Sequence, residues 1–305
     1  MSADTRALVD AVASILLGKE EQVQLALCCF LARGHLLIED VPGVGKTTLA
    51  QALVRATGLD YQRIQFTSDL LPSDVLGVSV FDRREGGFQF HPGPIFTSVL
   101  LVDEINRASP KTQSALLEAM AEGQVTVEGE TRPLPQPFFV IATQNPVHQS
   151  GTFSLPESQL DRFLMRISLG YPDERSERAL LMGQNPHALL ESMQAVASAD
   201  QLRVWQQQVE SVSVSDAVVS YIQRLVNFSR EDSHFALGLS TRASLALIRC
   251  AKAWALLSGR DYLLPDDVQQ VLGPVAGHRV QAATQGAEPG DVLVRRLLSQ
   301  VPVMA

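Results

Sequence analysis

The sequence predicts an α/β domain over residues 1–190, a parallel sheet carrying inserted β-hairpins, followed by a small all-helical domain over 198–305. Three observations carry that expectation. Apolar runs of strand length alternate with helical segments in the first part of the chain, the pattern of a parallel sheet crossed over by helices. Beyond a linker-like stretch near 195–200, nearly every segment has helical period. The first apolar run, ending at Ile38, enters a glycine-bearing turn that opens directly into a helix.

Element by element, helical signals cover 5–17 and 20–33, with Gly18 and Gly34 as stops. Residues 35–38 read as a buried strand, and the helix after the turn runs to Thr57, where Gly58 ends it. Residues 61–66 read as the next strand. The segment 67–94 is rich in Pro, Gly, Asp and Ser, and short strand-like pieces flank a turn within it, which predicts an inserted β-hairpin. A segment of that length without a crossover helix is usually functional. After the apolar run 99–104, Ser109 at the N-cap and Pro110 at the first helical position start a helix through Glu122, stopped by Gly123. Residues 124–131 alternate and read as a second hairpin closed near Gly129, while 138–143 and 164–169 read as buried strands. Pro172 and the charged run 173–178 open a helix, and further helices are expected at 202–209, 216–228, 241–257, 266–272 and 292–298.

A length of 305 residues suits two domains, and 46% hydrophobic residues can fill both cores. No run approaches the roughly 20 apolar residues of a membrane helix. The first residues are mixed in charge and run into a helical pattern, so no cleaved signal is expected and the reading is cytoplasmic. A net charge of −8 and a pI near 5.3 argue against nucleic acid as the main partner, because that affinity comes from clustered Lys and Arg. Cys28 and Cys29 are adjacent on one apolar helix and Cys250 stands apart, a pattern of core residues in a reduced protein rather than of disulfides or zinc. The six histidines show no metal-ligand spacing.

The chemistry concentrates at 40–48, Asp-Val-Pro-Gly-Val-Gly-Lys-Thr-Thr. Gly43 and Gly45 let the backbone approach an anion without Cβ clashes, and successive amides at the helix N-terminus point at it. Pro42, Gly43, Val44, Gly45, Lys46, Thr47 and Thr48 are the expected nucleotide contacts, with Lys46 on the β- and γ-phosphates and the Thr47 hydroxyl on Mg²⁺. Asp40 stands where the strict pattern has glycine. The strand 99–104 ends in Asp103 and Glu104. The first suits the Mg²⁺ side and the second a general base that polarises water. Alone, such a strand could end in a solvated acidic turn; the loop upstream favours the catalytic reading. Asn145 follows the strand 138–143, where an uncharged amide can align an attacking water and sense the γ-phosphate. The plainer alternative is an Asn-Pro turn.

In that order the motifs resemble the AAA+ ATPases, and within them the MoxR family, over nearly the whole chain. Residues 39–47 resemble the Walker A loop, 101–108 Walker B, 142–146 sensor 1, Leu160-Asp161-Arg162-Phe163 the arginine-finger segment, and Leu239-Ser240-Thr241-Arg242-Ala243 the start of the sensor 2 helix. The insertion 67–94 is similar to the hairpin that interrupts helix 2 in this clade, and 124–131 to the hairpin before sensor 1. The resemblance implies an ATP- and Mg²⁺-dependent ATPase forming a homo-oligomeric ring, commonly a hexamer. In it Arg162 reaches the γ-phosphate held by a neighbour, an effect worth roughly 10³ to 10⁵ in rate where such fingers act. A local salt bridge from Arg162 to Asp161 or Glu157 is the alternative. Arg242 would report nucleotide state to the lid, on its own nucleotide or a neighbour's, and Leu17-Gly18 would belong to the adenine pocket. The family further implies a chaperone that matures or activates partner complexes, often with a von Willebrand factor A domain protein. Two other readings are an ATP-dependent assembly module with little turnover and a DNA-acting motor, the latter disfavoured by the acidic charge.

Overall fold

The computed structural model describes residues 3–84, 86–145, 153–283 and 289–303. Helices α1 (Ala3–Ala13) and α2 (Glu20–Leu31) come first. The first is shorter than its periodicity predicts. Ile15 and Leu16 stay buried, so the apolar period continues through a turn after the helix has ended. The second stops at Arg33, which takes the left-handed conformation at φ 53. Gly34 serves close packing instead, since a Cβ there would lie 2.1 Å from Leu164 and only glycine lets the two segments meet.

Strand β1 (Leu36–Glu39) leads through the glycine turn to α3 (Lys46–Thr57), followed by β2 (Tyr61–Gln65). The insertion consists of a short helix α4 (Pro72–Leu76) and an antiparallel ribbon, β3 (Gly77–Asp82) with β4 (Gly87–Pro92). The sequence reading missed α4, whose N-terminus is capped when Asp74 accepts from the Leu71 amide at 2.8 Å. Then come β5 (Val99–Asp103) and α5 (Pro110–Glu122), with Ser109 capping as expected. The second hairpin is β6 (Gln124–Val127) and β7 (Glu130–Pro133), turned by Glu128 and Gly129 at positive φ. Strand β8 (Phe139–Gln144), α6 (Glu157–Leu160) and β9 (Met165–Ile167) complete the α/β part.

The sheet order is β2-β5-β8-β1-β9, all parallel. Strands β5 and β8 are buried throughout, because both faces are covered. Side-chain alternation divides the core in two. Leu36, Ile38, Val99, Leu101, Phe139 and Ile141 face one apolar cluster, while Leu37, Leu100, Val102, Val140 and Ala142 face the other.

Helices α7 (Glu174–Leu181) and α8 (Pro186–Ser192) follow; α8 was not expected. The linker-like stretch is docked: the amides of Val196 and Ala197 both donate to the Ala56 carbonyl, at 2.8 and 3.0 Å. Helices α9 (Ala199–Ser211) and α10 (Asp216–Glu231) begin the helical part. It also holds a short two-stranded ribbon, β10 (Phe235–Leu237) with β11 (Gln281–Ala282), among helices α11 (Thr241–Leu257), α12 (Pro265–Ala276) and α13 (Gly290–Gln300). Two- and three-residue strands carry too little alternation to be read from sequence. Helix α12 runs four residues past the predicted end, with Pro274 inside it. Helix α11 packs on α2 and α9, and Cys28 Sγ donates to the Cys250 carbonyl at 3.1 Å. All three cysteines are buried and unbridged. The helical part and the α2 face of the sheet therefore share one core.

Candidate functional site

The sheet order builds the site. Strand β8 lies between β1, which delivers the glycine turn, and β5, which ends in the two carboxylates. Glu39 of β1 pairs in register with Gln144 of β8, so Asn145 emerges between loop and carboxylates. Its side chain bridges them: Lys46 Nζ donates to Asn145 Oδ1 at 3.3 Å, and Asn145 Nδ2 donates to Glu104 Oε1 at 3.1 Å. Pro146, the last residue of the matched segment, lies outside the described residues.

Gly43 and Gly45 sit at φ 86 and 96, a region that L side chains rarely adopt, with open space on the side a Cβ would occupy. Lys46 begins α3 and is half-buried. Its Nζ donates to the Asp40 carbonyl at 2.7 Å as well as to Asn145. Burial holds the Lys46 pKa below its ordinary value, against the opposing pull of Asp40, Asp103 and Glu104. The ammonium thus waits inside the loop, on atoms it would exchange for phosphate oxygens.

Asp103 is buried at the end of β5, one oxygen accepting from Arg63 Nε at 2.7 Å and the other from Thr143 Oγ1 at 3.3 Å. Glu104 adopts the left-handed conformation at φ 55, which turns its side chain out of the strand's alternation. Its carboxylate accepts from Gln65 at 2.8 Å, Arg107 at 2.9 Å and Asn145. Its amide donates to Thr143 Oγ1 at 3.0 Å. A base held this way is aimed before substrate arrives. Thr47 in the first turn of α3 and Asp103 are the oxygen donors suited to Mg²⁺, and the hard-oxygen chemistry fits that ion.

Beside the glycine turn lies a mainly apolar cavity of about 190 Å³, lined by Leu17, Val44, Thr48, Pro172, Leu180 and Pro186 among others. Gly18 is not part of that lining; it packs against Asp173 and Ser176 at the start of α7. An apolar slot against a phosphate loop suits a flat base. Pro42 is exposed on the rim.

Arg162 does not pair with Asp161 or Glu157, contrary to the salt-bridge alternative. Its guanidinium donates to the Leu117 carbonyl at 2.9 Å. Asp161 is held instead by Arg279, at 2.6 Å, with Arg242 at 3.6 Å. Arg279 is almost fully buried and also donates to the carbonyls of Asp161, Phe163, Leu164 and Val275, so the turn after α12 fixes the backbone on either side of Arg162. Arg162 and Arg242 line one cavity, and none of its lining residues is shared with the cavity at the glycine turn.

Sequence reasoning missed Asp40, Arg63, Gln65, Arg107, Thr143 and Arg279. Asp40 accepts from the Val41 amide at 2.8 Å, the Ser168 hydroxyl at 2.9 Å and the Gly170 amide at 2.6 Å. Burial opposes its ionisation, yet these bonds hold its pKa below the ordinary carboxylate value. Gln65 was findable, because residues 61–66 read as a strand whose last residues would meet the end of 99–104.

Residues 35–165 match the family model described as ATPase family associated with various cellular activities (AAA), and residues 227–297 match the AAA lid domain. With a parallel sheet carrying the glycine loop and a helical lid, the chain is a member of the AAA+ ATPase class. The chain is 45% identical to the uncharacterized protein YeaC of Bacillus subtilis, over 97% of this chain and 93% of that protein. It is 39% identical to the chaperone MoxR1 of Mycobacterium tuberculosis, over 95% of this chain and 80% of that protein. The crystal structure of a Cytophaga hutchinsonii protein assigned as an ATPase superimposes with a TM-score of 0.87 at 36% identity, covering 97% and 93% of the two chains. The chain belongs to the MoxR family of AAA+ ATPases. Among the described residues no helix is long and apolar enough to cross a membrane.

Proposed function

We propose that this protein is an ATP-hydrolysing chaperone that remodels partner protein complexes, working as a homo-oligomeric ring, commonly a hexamer in the family, in which each nucleotide is shared by two subunits. The observation that carries hydrolysis is the bridge of Asn145 between Lys46 and Glu104. One amide touches the group that would hold the γ-phosphate and the group that would activate water, so a change at either is felt by the other. Mg²⁺, held by Thr47 and Asp103, would supply charge neutralisation at the phosphates. Glu104 takes the proton of the attacking water, and Gln65, Arg107 and Asn145 fix its direction. The base would lie in the slot beside Leu17. The separate cavity holding Arg162 and Arg242 supports their acting together on a neighbour's nucleotide rather than on their own. The name chaperone comes from the MoxR1 relative, and a von Willebrand factor A domain protein is the partner class we propose from the family resemblance.

Glu104→Gln removes the base and leaves the metal-side carboxylate. It should bind ATP with parental affinity while turnover falls at least about a hundredfold, as measured by steady-state phosphate release. Hydrolysis within a few-fold of the parent would remove Glu104 from its role; a parent chain that binds ATP without turning it over would favour the assembly-module reading. For the shared site, Arg162→Ala and Lys46→Ala should each be inactive. Mixing them places intact loops beside intact arginines, so activity should partly return in rings shown to contain both. Mixed rings without recovery would refute the shared site.

A further inference from the structure

The cavity holding Arg162 and Arg242 measures about 500 Å³ and is walled by the α2–β1 turn, the end of α5, the segment before β9 and one face of α11. Three more arginines line it: Arg33, Arg249 and Arg279. Two of the five are committed to carboxylates, Arg33 to Glu210 at 3.2 Å and Arg279 to Asp161 at 2.6 Å. Arg242 is exposed and only grazes Asp161, at 3.6 Å. Arg162 has a carbonyl partner, and neither it nor Arg249 forms an ion pair among the described residues. A chain of net charge −8 thus gathers three weakly compensated guanidinium groups around one cavity, an arrangement that repels itself until an anion enters.

The spacing says which anion. Arg242 and Arg249 are seven residues apart on α11, two turns along one face, or roughly 10 Å along the axis. Two long side chains that line one cavity from positions roughly 10 Å apart on the helix match a chain of phosphates, which presents acceptor oxygens along its length. We propose that Arg249 is a third guanidinium that this chain presents to the triphosphate of the nucleotide bound by a neighbouring copy. It meets a phosphate further along the chain than the one Arg162 reaches. The proposal rests on the shared-site reading above.

The test uses inorganic triphosphate on the full-length Lys46→Ala chain, whose own loop is disabled. This chain should bind triphosphate with an affinity that weakens as salt rises. Adding Arg249→Ala, or the longer Arg249→Gln if the alanine variant melts early, should weaken that binding about tenfold or more, while Arg249→Lys retains most of it. In an otherwise parental ring Arg249→Gln should lower kcat/KM by a similar factor. Mixed with Lys46→Ala it should regain activity, but mixed with Arg162→Ala it should not, since every arginine cavity in such a ring would carry one of the two defects. Parental triphosphate binding and turnover in well-folded Arg249 variants would overturn the proposal, as would recovery on mixing with Arg162→Ala. If Arg162→Ala and Lys46→Ala themselves fail to complement in mixed rings, the shared site falls and Arg249 falls with it. If they complement while Arg249 variants behave as the parent, Arg249 alone is refuted.

Discussion

The carboxylate of Asp40 anchors the first residue of the glycine loop to the end of β9 through Ser168 and Gly170, a link glycine has no atoms to make. Restoring the strict pattern with Asp40→Gly should therefore harm the protein. Lost charged hydrogen bonds and added backbone freedom together cost on the order of 2–3 kcal/mol, read as a lower thermal midpoint and a weaker affinity for ATP. An unchanged midpoint would mean the tether contributes nothing. Residues that are close in the chain to their motif were legible: Lys46, Thr47, Asp103, Glu104 and Asn145 all follow from one strand end or one turn. Arg63 and Arg107 were not, because they reach the carboxylates through a cross-strand contact or a local turn that no spacing rule encodes. Asp40 was visible only as a departure, and two of its three bonding partners lie 128 and 130 residues away.

Between elements, the contact of Gly34 with Leu164 sets how closely the α2–β1 turn approaches the segment that carries Arg162. The amide of Leu164 also donates to the His35 carbonyl at 2.8 Å, so the two segments are joined by backbone as well as packing. Gly34→Ala places a methyl group inside Leu164 and should cost about 1–3 kcal/mol, with activity falling while ATP affinity is kept, because the loop at Lys46 is not displaced. Leu164→Ala makes room, so the double variant should lose less than the sum of the singles by about 0.5 kcal/mol or more in denaturant titrations; strict additivity would mean the two do not touch. Both hairpins, the N-capped α5 and the strands β5 and β8 were readable, since each has strong periodicity and a local turn or cap. The ribbon β10–β11, the short α4 and α8 were not, being too brief for periodicity to register. Gly34 was read as a helix stop, whereas its cause is a residue 130 positions away that only tertiary structure reveals.

Across the whole molecule, two buried histidines must stay uncharged, one just before β1 and one just after α12. His35 accepts from the Val140 amide at 3.0 Å and faces the Met120 carbonyl at 3.1 Å, which assigns the proton to Nε2. Burial, with Arg249 adding to it, lowers its pKa to about 4. His278 faces the Phe163 carbonyl at 3.1 Å, and burial next to Arg279 likewise pushes its pKa well below the usual value. A histidine whose folded pKa is depressed binds its proton first in the unfolded chain. Stability is therefore full above about pH 6.5 and is lost as pH falls toward 4, by about 3 kcal/mol from His35 alone. His278 acts in the same direction. Carboxylates also titrate in this window, so the comparison must be with a variant. His35→Gln keeps an acceptor for Val140 and a donor for Met120 but cannot take up a proton. Denaturant titrations at pH 7 and pH 4.5 should show the variant somewhat less stable at neutral pH and losing distinctly less than the parent on acidification. Equal losses in the two proteins would mean that His35 is not held neutral in the fold.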